Sequence, residues 1–161
     1  MERVGPYRIL RSIGLGGMGE VYLARLERAG GFEKRVALKR ARPELAEDPR
    51  FIELFEAEAR MAAALTHRHI VQIFDFGHDA GTAWIAMEYV QGVDLKAVLD
   101  ERAGPLPVGM AVEIGLACAR GLDYAHRASD SRGRALGLVH QDVSPQNVLL
   151  SFEGDVKLAD F

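Results

Sequence analysis

Apolar residues fall on alternate positions in three early stretches, Tyr7 to Ile13, Glu20 to Leu26 and Arg35 to Lys39. That is the period of strands with one buried face. Glycines at 14–19 and at Gly30 and Gly31 separate the stretches, so an antiparallel meander is expected. The period then changes. In FIELFEAEARMAAAL, Phe51, Phe55, Ala59, Ala62 and Leu65 recur at helical spacing, behind Asp48 as N-cap and Pro49 in the first turn. This predicts a helix over 49–65. His69 to Phe76 and Thr82 to Tyr89 are strand-like and flank the turn-rich GHDAG. Five strands and one helix make a first lobe over 1–89.

Beyond Val90 the pattern becomes mainly helical. Asp94 to Glu101 is a short helical stretch, Gly104 to Pro107 breaks it, and Val108 to His126 reads as a long helix. Val108, Val112, Leu116, Ala119 and Leu122 make one apolar face. Residues 125–137 are polar, basic and glycine-bearing, hence an exposed loop. Short strands are expected at Val148 to Ser151 and Val156 to Leu158.

The composition narrows the classes. A chain of 161 residues with 48% apolar and 27% charged side chains is one globular domain rather than a disordered segment or a coiled coil. Its net charge of −3 makes no case for nucleic acid or a membrane surface as partner. No apolar run approaches a membrane span, so an anchor would lie outside this chain. The single cysteine, Cys118, excludes an internal disulfide framework, reads as a small core residue, and suits a reducing, cytoplasmic setting. His67, His69, His78 and His126 show no paired metal-ligand spacing.

Three segments carry candidate chemistry. Gly14, Gly16 and Gly19 form GxGxxG, with Gly17 between them. Such a pattern opens dinucleotide-binding helices, but EVYLARL follows it here and alternates like a strand. Strand, glycine-rich turn and strand make either a plain hairpin or a flap whose N–H groups approach phosphates. Lys39 ends the apolar strand VALK. It is either an edge lysine in water or a cation for phosphate oxygens oriented by a carboxylate, for which Glu53, Glu56 and Glu58 are candidates. The third segment is LVHQDVSPQNVLL at 138–150, followed by VKLADF at 156–161.

Taken in this order and spacing, these motifs resemble the eukaryotic-type protein kinase family in its bacterial serine/threonine style, over essentially the whole chain. The resemblance implies an α+β kinase-like fold: a five-stranded antiparallel N-lobe with one C-helix, and the beginning of a mainly helical C-lobe. It implies that Gly14, Gly16, Gly17 and Gly19 cover the phosphates of ATP and that Lys39 holds them, with Glu58 as its ion-pair partner. Met87 would be the gatekeeper, and Glu88 to Val90 the hinge whose backbone binds adenine. Val21, Ala37 and Leu149 would enclose the adenine ring, and Asp94 would contact ribose. Asp142 would be the catalytic base, and Asn147 and Asp160 the ligands of Mg2+. His140 reads as a packed structural histidine.

Two positions depart from the family pattern. Gln141 stands where many members have the arginine that meets a phosphorylated activation loop, and Ser144 where many have a phosphate-contacting lysine. The pattern also stops at Asp160-Phe161. The expectation is therefore a single incomplete kinase domain, inactive by itself, from a parent that phosphorylates protein serine or threonine. The alternative is a non-catalytic nucleotide-binding or interaction module. The 108–126 helix is expected to leave apolar surface for a partner or for the rest of the second lobe.

Overall fold

The computed structural model describes residues 2–15, 19–42, 49–79, 81–130 and 132–161. The chain divides into two compact units. The first is Met1–Ala63 with Gln72–Tyr89, and the second is Ala64–Val71 with Val90–Phe161.

The first unit is built on a sheet. Its strands are β1 (Arg3–Val4), β2 (Tyr7–Leu15), β3 (Gly19–Arg28), β4 (Phe32–Ala41), β5 (Ile73–Asp79) and β6 (Thr82–Glu88). They pair in the order β1-β2-β3-β4-β6-β5, antiparallel throughout. The five long strands are those the alternation predicts, and β1 is a two-residue addition at the edge. Because side chains alternate, one face of the sheet collects Ala24, Val36, Leu38, Trp84 and Ala86, which bury themselves with Val4 and Tyr7. Tyr7 and Trp84 meet edge to face with centroids 5.4 Å apart.

Helix α1 (Pro49–Ala63) packs on β5 and touches β6, burying Phe55, Ala59 and Ala62. The expected N-cap, Asp48, lies outside the described residues. The helix ends before Leu65, which is buried with Ile70 and Ala125 in the second unit.

That early end belongs to a larger departure from the sequence expectation. Residues 69–72 are not part of β5. Ile70 forms a single parallel bridge to Leu158, Leu158 N–H donates to the His69 carbonyl, and Val71 N–H donates to the Leu158 carbonyl. The apolar run reads as one strand, but its first residues serve the second unit, because their backbone groups find partners there.

The second unit holds β7 (Gly92–Asp94), helix α2 (Leu95–Glu101), helix α3 (Val108–His126), β8 (Val148–Ser151) and β9 (Val156–Leu158). The sheet order is β7-β8-β9. Asp94 is the last residue of β7 and caps α2, its carboxylate accepting the Ala97 N–H at 2.8 Å.

The apolar face of α3 read from the sequence is largely exposed, as expected, and a second face is the buried one. Ile114, Ala117, Gly121 and Ala125 are buried, while Val108, Val112, Leu116 and Ala119 are exposed, Val108 to 80%. The helix carries two apolar stripes, and the stripe of small residues wins because it admits the His69 backbone. Cys118 is half-buried and packs at the edge of the cluster around Ile114, Val148 and Leu158, where burial pushes its thiol pKa up.

Candidate active site

The first unit carries its share of the candidate residues on the sheet face opposite the Leu38–Trp84 core. Val21, Lys39 and Ile85 stand directly opposite one another on β3, β4 and β6, and Leu23, Ala37 and Met87 form the next rung on the same face. Val21, Ala37, Lys39 and Met87 are thus brought together by strand register alone. Ala37 and Met87 are buried, and Val21 and Lys39 half-buried. Gly14 pairs with Val21, and Gly19 with Ala41 at the far end of the same ladder. A β-carbon on Gly19 would lie 2.1 Å from the Arg40 carbonyl oxygen, so no larger residue fits. Gly16 and Gly17 lie outside the described residues. Glu88 N–H donates to the Gln72 carbonyl at 2.8 Å, and its carboxylate accepts the Gln72 N–H at 3.3 Å. Glu88 is therefore tied to the chain entering β5, a link that the sequence does not reveal.

Glu58 corrects one expectation. It is exposed on α1, and the Lys39–Glu58 ion pair is not formed. The burial of Phe55, Ala59 and Ala62 sets the helix rotation, and the acid used to fasten α1 is Glu56, whose carboxylate meets His78 Nδ1 of β5 at 2.9 Å.

The second unit carries the other share. His140 is buried, its Nε2 donates to the Ala159 carbonyl at 2.9 Å, and its ring packs on Phe161 at 4.5 Å. This is the packed structural histidine that the sequence suggests. The chain then reverses through Gln141, which has a positive φ of 62°, so that Asp142 N–H donates to the His140 carbonyl at 2.8 Å. Asp142 is left exposed.

Pro145–Asn147 forms a 3-10 turn in which Asn147 N–H donates to the Ser144 carbonyl. The turn aims the Asn147 amide back at Asp142. Its Nδ2 donates to the Asp142 carbonyl at 3.0 Å and to Oδ2 at 3.1 Å. The Asn147 carbonyl accepts the Ala159 N–H at 2.9 Å, so the residue before Asp160 is tied to the same turn. Asp142, Asn147 and Asp160 therefore form one connected group. Ser144 is half-buried beside it, and Leu149 lies opposite Asp94 across the β7–β8 ladder. Val90 is half-buried, and the Asp94 carboxylate serves as the α2 cap. The hook of Asn147 on Asp142 had only a weak signal in the sequence, an asparagine after Ser-Pro.

The donors fit a magnesium ion. Both hydrogens of the Asn147 amide are committed to Asp142, which leaves Oδ1 as an acceptor, and Asp160 adds a carboxylate. Two hard oxygen donors, completed by substrate phosphates and water, are what this ion takes. Among the described residues no three His, Cys, Asp or Glu side chains cluster as they would for an all-protein metal cage.

Comparison with known proteins identifies the family and the fold. Residues 7–161 match the family described as "Protein kinase domain". The chain is 43% identical to the tyrosine-protein kinase MasK of Myxococcus xanthus, over 100% of this chain and 25% of that protein. It is 41% identical to the serine/threonine-protein kinase PknA of Mycobacterium tuberculosis, over 98% of this chain and 35% of that protein. The crystal structure of the Mycobacterium tuberculosis PknI kinase domain superposes with a TM-score of 0.79 at 40% identity, covering 99% of this chain and 61% of that one. The chain thus spans a quarter to a third of these curated relatives. With a family match over residues 7–161 and a superposition that covers nearly all of it, the chain belongs to the protein kinase domain family, and what it holds is the N-lobe and the start of the C-lobe.

Proposed function

We propose that these residues serve an ATP-dependent kinase that transfers the γ-phosphoryl group to serine or threonine hydroxyls of protein substrates. The observation that carries the reading is the double hydrogen bond from Asn147 to Asp142, which orients the carboxylate while leaving it exposed to a substrate. Asp142 aligns the attacking hydroxyl and takes its proton as the hydroxyl oxygen bonds to the γ-phosphorus and the bond to the leaving ADP oxygen breaks. Lys39 holds the α- and β-phosphates, and the backbone N–H groups from Gly14 to Gly19 cover them. Ala37, Val21, Met87 and Leu149 supply an apolar setting for adenine, the backbone of Glu88 to Val90 its polar contacts, and Asp94 a contact to ribose. Asn147 Oδ1 and Asp160 are the ligands for Mg2+, which when bound neutralises charge on the transferring phosphates. Ser144 offers a hydroxyl where a lysine would bring charge, so a slow transfer is expected.

Serine and threonine are preferred because PknA and PknI carry that description, although MasK is named for tyrosine. The setting proposed is the cytoplasm, where ATP is abundant. No helix among the described residues is long and apolar enough to cross a membrane. A second reading, a nucleotide-binding module without transfer activity, is favoured by one observation, the exposed Glu58.

Calorimetry with Mg-ATP on the 161-residue chain, beside Lys39→Met and Asp160→Asn, tests the binding half. Magnesium-dependent binding lost in both variants supports it, and no binding by a folded sample removes it. Phosphoamino-acid analysis of the longer protein, with Asp142→Asn as control, separates kinase from module and serine or threonine from tyrosine.

A further inference from the structure

A concavity of about 600 Å3 lies within the second unit, beside the C-terminal half of α3. It contains none of the residues assigned above to phosphotransfer. Arg120, Asp123, Tyr124 and Arg127 line it at the spacing of one helix face, and His67 and Ser129 close its sides. Tyr124 and His67 are held in place by contacts, while Arg120, Arg127 and Ser129 are exposed. The His67 ring stacks on Tyr124 with centroids 4.9 Å apart, and the Tyr124 hydroxyl accepts the Thr66 N–H at 3.2 Å, which keeps its own proton to donate. The Arg127 guanidinium is ion-paired with Asp123 at 2.6 Å, so these two charges cancel. Arg120 has no carboxylate partner among the described residues and leaves the concavity with an unbalanced guanidinium.

Ala128 and Ser129, on the far side, lead into a basic loop that the phosphotransfer chemistry does not use. Ser129 bridges Ala135, and Asp130 accepts the N–H groups of Arg132 and Arg134 together with the Arg134 side chain. These bonds hold the Asp130 carboxyl below the usual carboxylate range. The loop is therefore a shaped excursion. Although the chain as a whole carries −3, residues 120–134 contain four arginines against two aspartates. Burial, followed by the charges of His69, Arg68 and Lys157, lowers the His67 pKa.

We infer that this concavity is a second binding site, separate from the proposed transfer machinery, and that it takes a phosphorylated serine or threonine in a peptide segment of a protein partner. A guanidinium fork with neighbouring hydroxyl donors from Tyr124 and Ser129 matches a phosphate monoester, whose oxygens accept several hydrogen bonds at once. The cavity is far larger than one phosphate, and Ala64, Ala128 and the Tyr124 ring give apolar footing to the flanking residues of a peptide. Charge complementarity selects the anion, and this extra room selects a peptide over free phosphate.

The test is fluorescence polarisation on the full chain without nucleotide, using a phosphoserine peptide pool with randomised flanks, its unphosphorylated twin, and inorganic phosphate. The expected result is binding of the phosphorylated pool roughly tenfold or more tighter than its twin, and a loss of about that size in Arg120→Ala, as for removal of a charge-assisted pair. Arg25→Ala, in the first unit and away from the lining, keeps wild-type affinity. Thermal melts confirm that each variant is folded, and Arg120→Lys, which keeps the charge without the fork, falls between. Equal binding of both pools, or full affinity in a folded Arg120→Ala, overturns the inference. Binding of inorganic phosphate as tight as the pool shows an anion site only and overturns the peptide assignment. Lys39→Met leaves this binding unchanged, so its failure and the failure of the kinase reading are separate results.

Discussion

Raising the pH through the ionisation of Tyr7 gives a quantitative test of the first unit's core. The Tyr7 phenol is 3% exposed, and burial, with the Asp75 carboxylate beside its hydroxyl, pushes its pKa from 10 up to about 12. A group with a raised folded-state pKa adds stability that is complete below the unfolded value and is lost as pH rises through the folded one. The loss therefore falls between pH 10 and 12. At about 1.4 kcal/mol per pKa unit, a shift of this size corresponds to roughly 3 kcal/mol. Tyr7→Phe removes the titration while keeping the ring against Trp84. It forfeits only the 3.3 Å hydroxyl bond to Asp75, about 1 kcal/mol at neutral pH. Trp84 is the only tryptophan in the chain and touches Tyr7, so its fluorescence reports the transition directly. Urea unfolding from about pH 8 to 12 is expected to show wild type ahead of Tyr7→Phe at the start and behind it at the end. If the two stability curves stay parallel across that range, the burial argument for Tyr7 is wrong.

Gln141→Gly should stabilise the chain by a few tenths to about 1 kcal/mol, because relief of the positive φ exceeds the added unfolded-state entropy. Gln141→Val should cost about 1 to 2 kcal/mol, and equal melting temperatures for the two would refute strain at this turn. Leu158→Ala empties a site that is 1% exposed and should cost about 3 to 5 kcal/mol by denaturant titration, with loss of Mg-ATP binding because β9 leads into Asp160. His67 has its pKa lowered from 6.5, first by burial and then by the charges of His69, Arg68 and Lys157. The unfolded chain then binds the proton more readily. Stability is complete above pH 6.5 and declines as pH falls through the lowered value, aided by loss of the Nδ1 that accepts the His69 N–H. His67→Gln should flatten that slope between about pH 7 and 5, and an unchanged slope would remove His67 as its source.

The strands were legible because their burial is one-sided. The alternation that places Leu38 inward also places Ala37 and Lys39 on the other face, and the β3–β4 register then sets Val21 opposite Lys39 without further information. The family was legible from the segment 138–161, since His140, Asp142, Asn147 and Asp160 occur in a spacing that chance rarely supplies. Three things were hidden. The rotation of α1 follows from how Phe55, Ala59 and Ala62 pack, and a helical wheel does not decide which of three nearby glutamates turns toward β5. The inner face of α3 is chosen by the His69 backbone, a contact distant in sequence. The start of β5 is decided by competition for Ile70 and Val71, whose partner at Leu158 lies at the other end of the chain.

Close backbone approach, rather than turn conformation, explains three of the glycines, and each stands next to a residue of the candidate site. A β-carbon would come within 2.1 Å of the Arg40 carbonyl oxygen at Gly19, 1.9 Å of the Leu150 oxygen at Gly92, and 3.0 Å of the His69 oxygen at Gly121. Arg40 follows Lys39, Leu150 follows Leu149, and the His69 carbonyl accepts the Leu158 N–H two residues before Asp160. At Gly121 two effects compete. Alanine in a helix gains about 1 kcal/mol over glycine, yet the new methyl would press on a carbonyl that cannot yield without loosening β9. The carbonyl is fixed by its hydrogen bond at 2.9 Å, and Leu158 Cδ1 closes the other side at 3.4 Å. The steric term should therefore win, and Gly121→Ala should destabilise the second unit and weaken Mg-ATP binding together. A gain in stability would show instead that the α3–His69 contact has slack, and that the position of Asp160 does not depend on it.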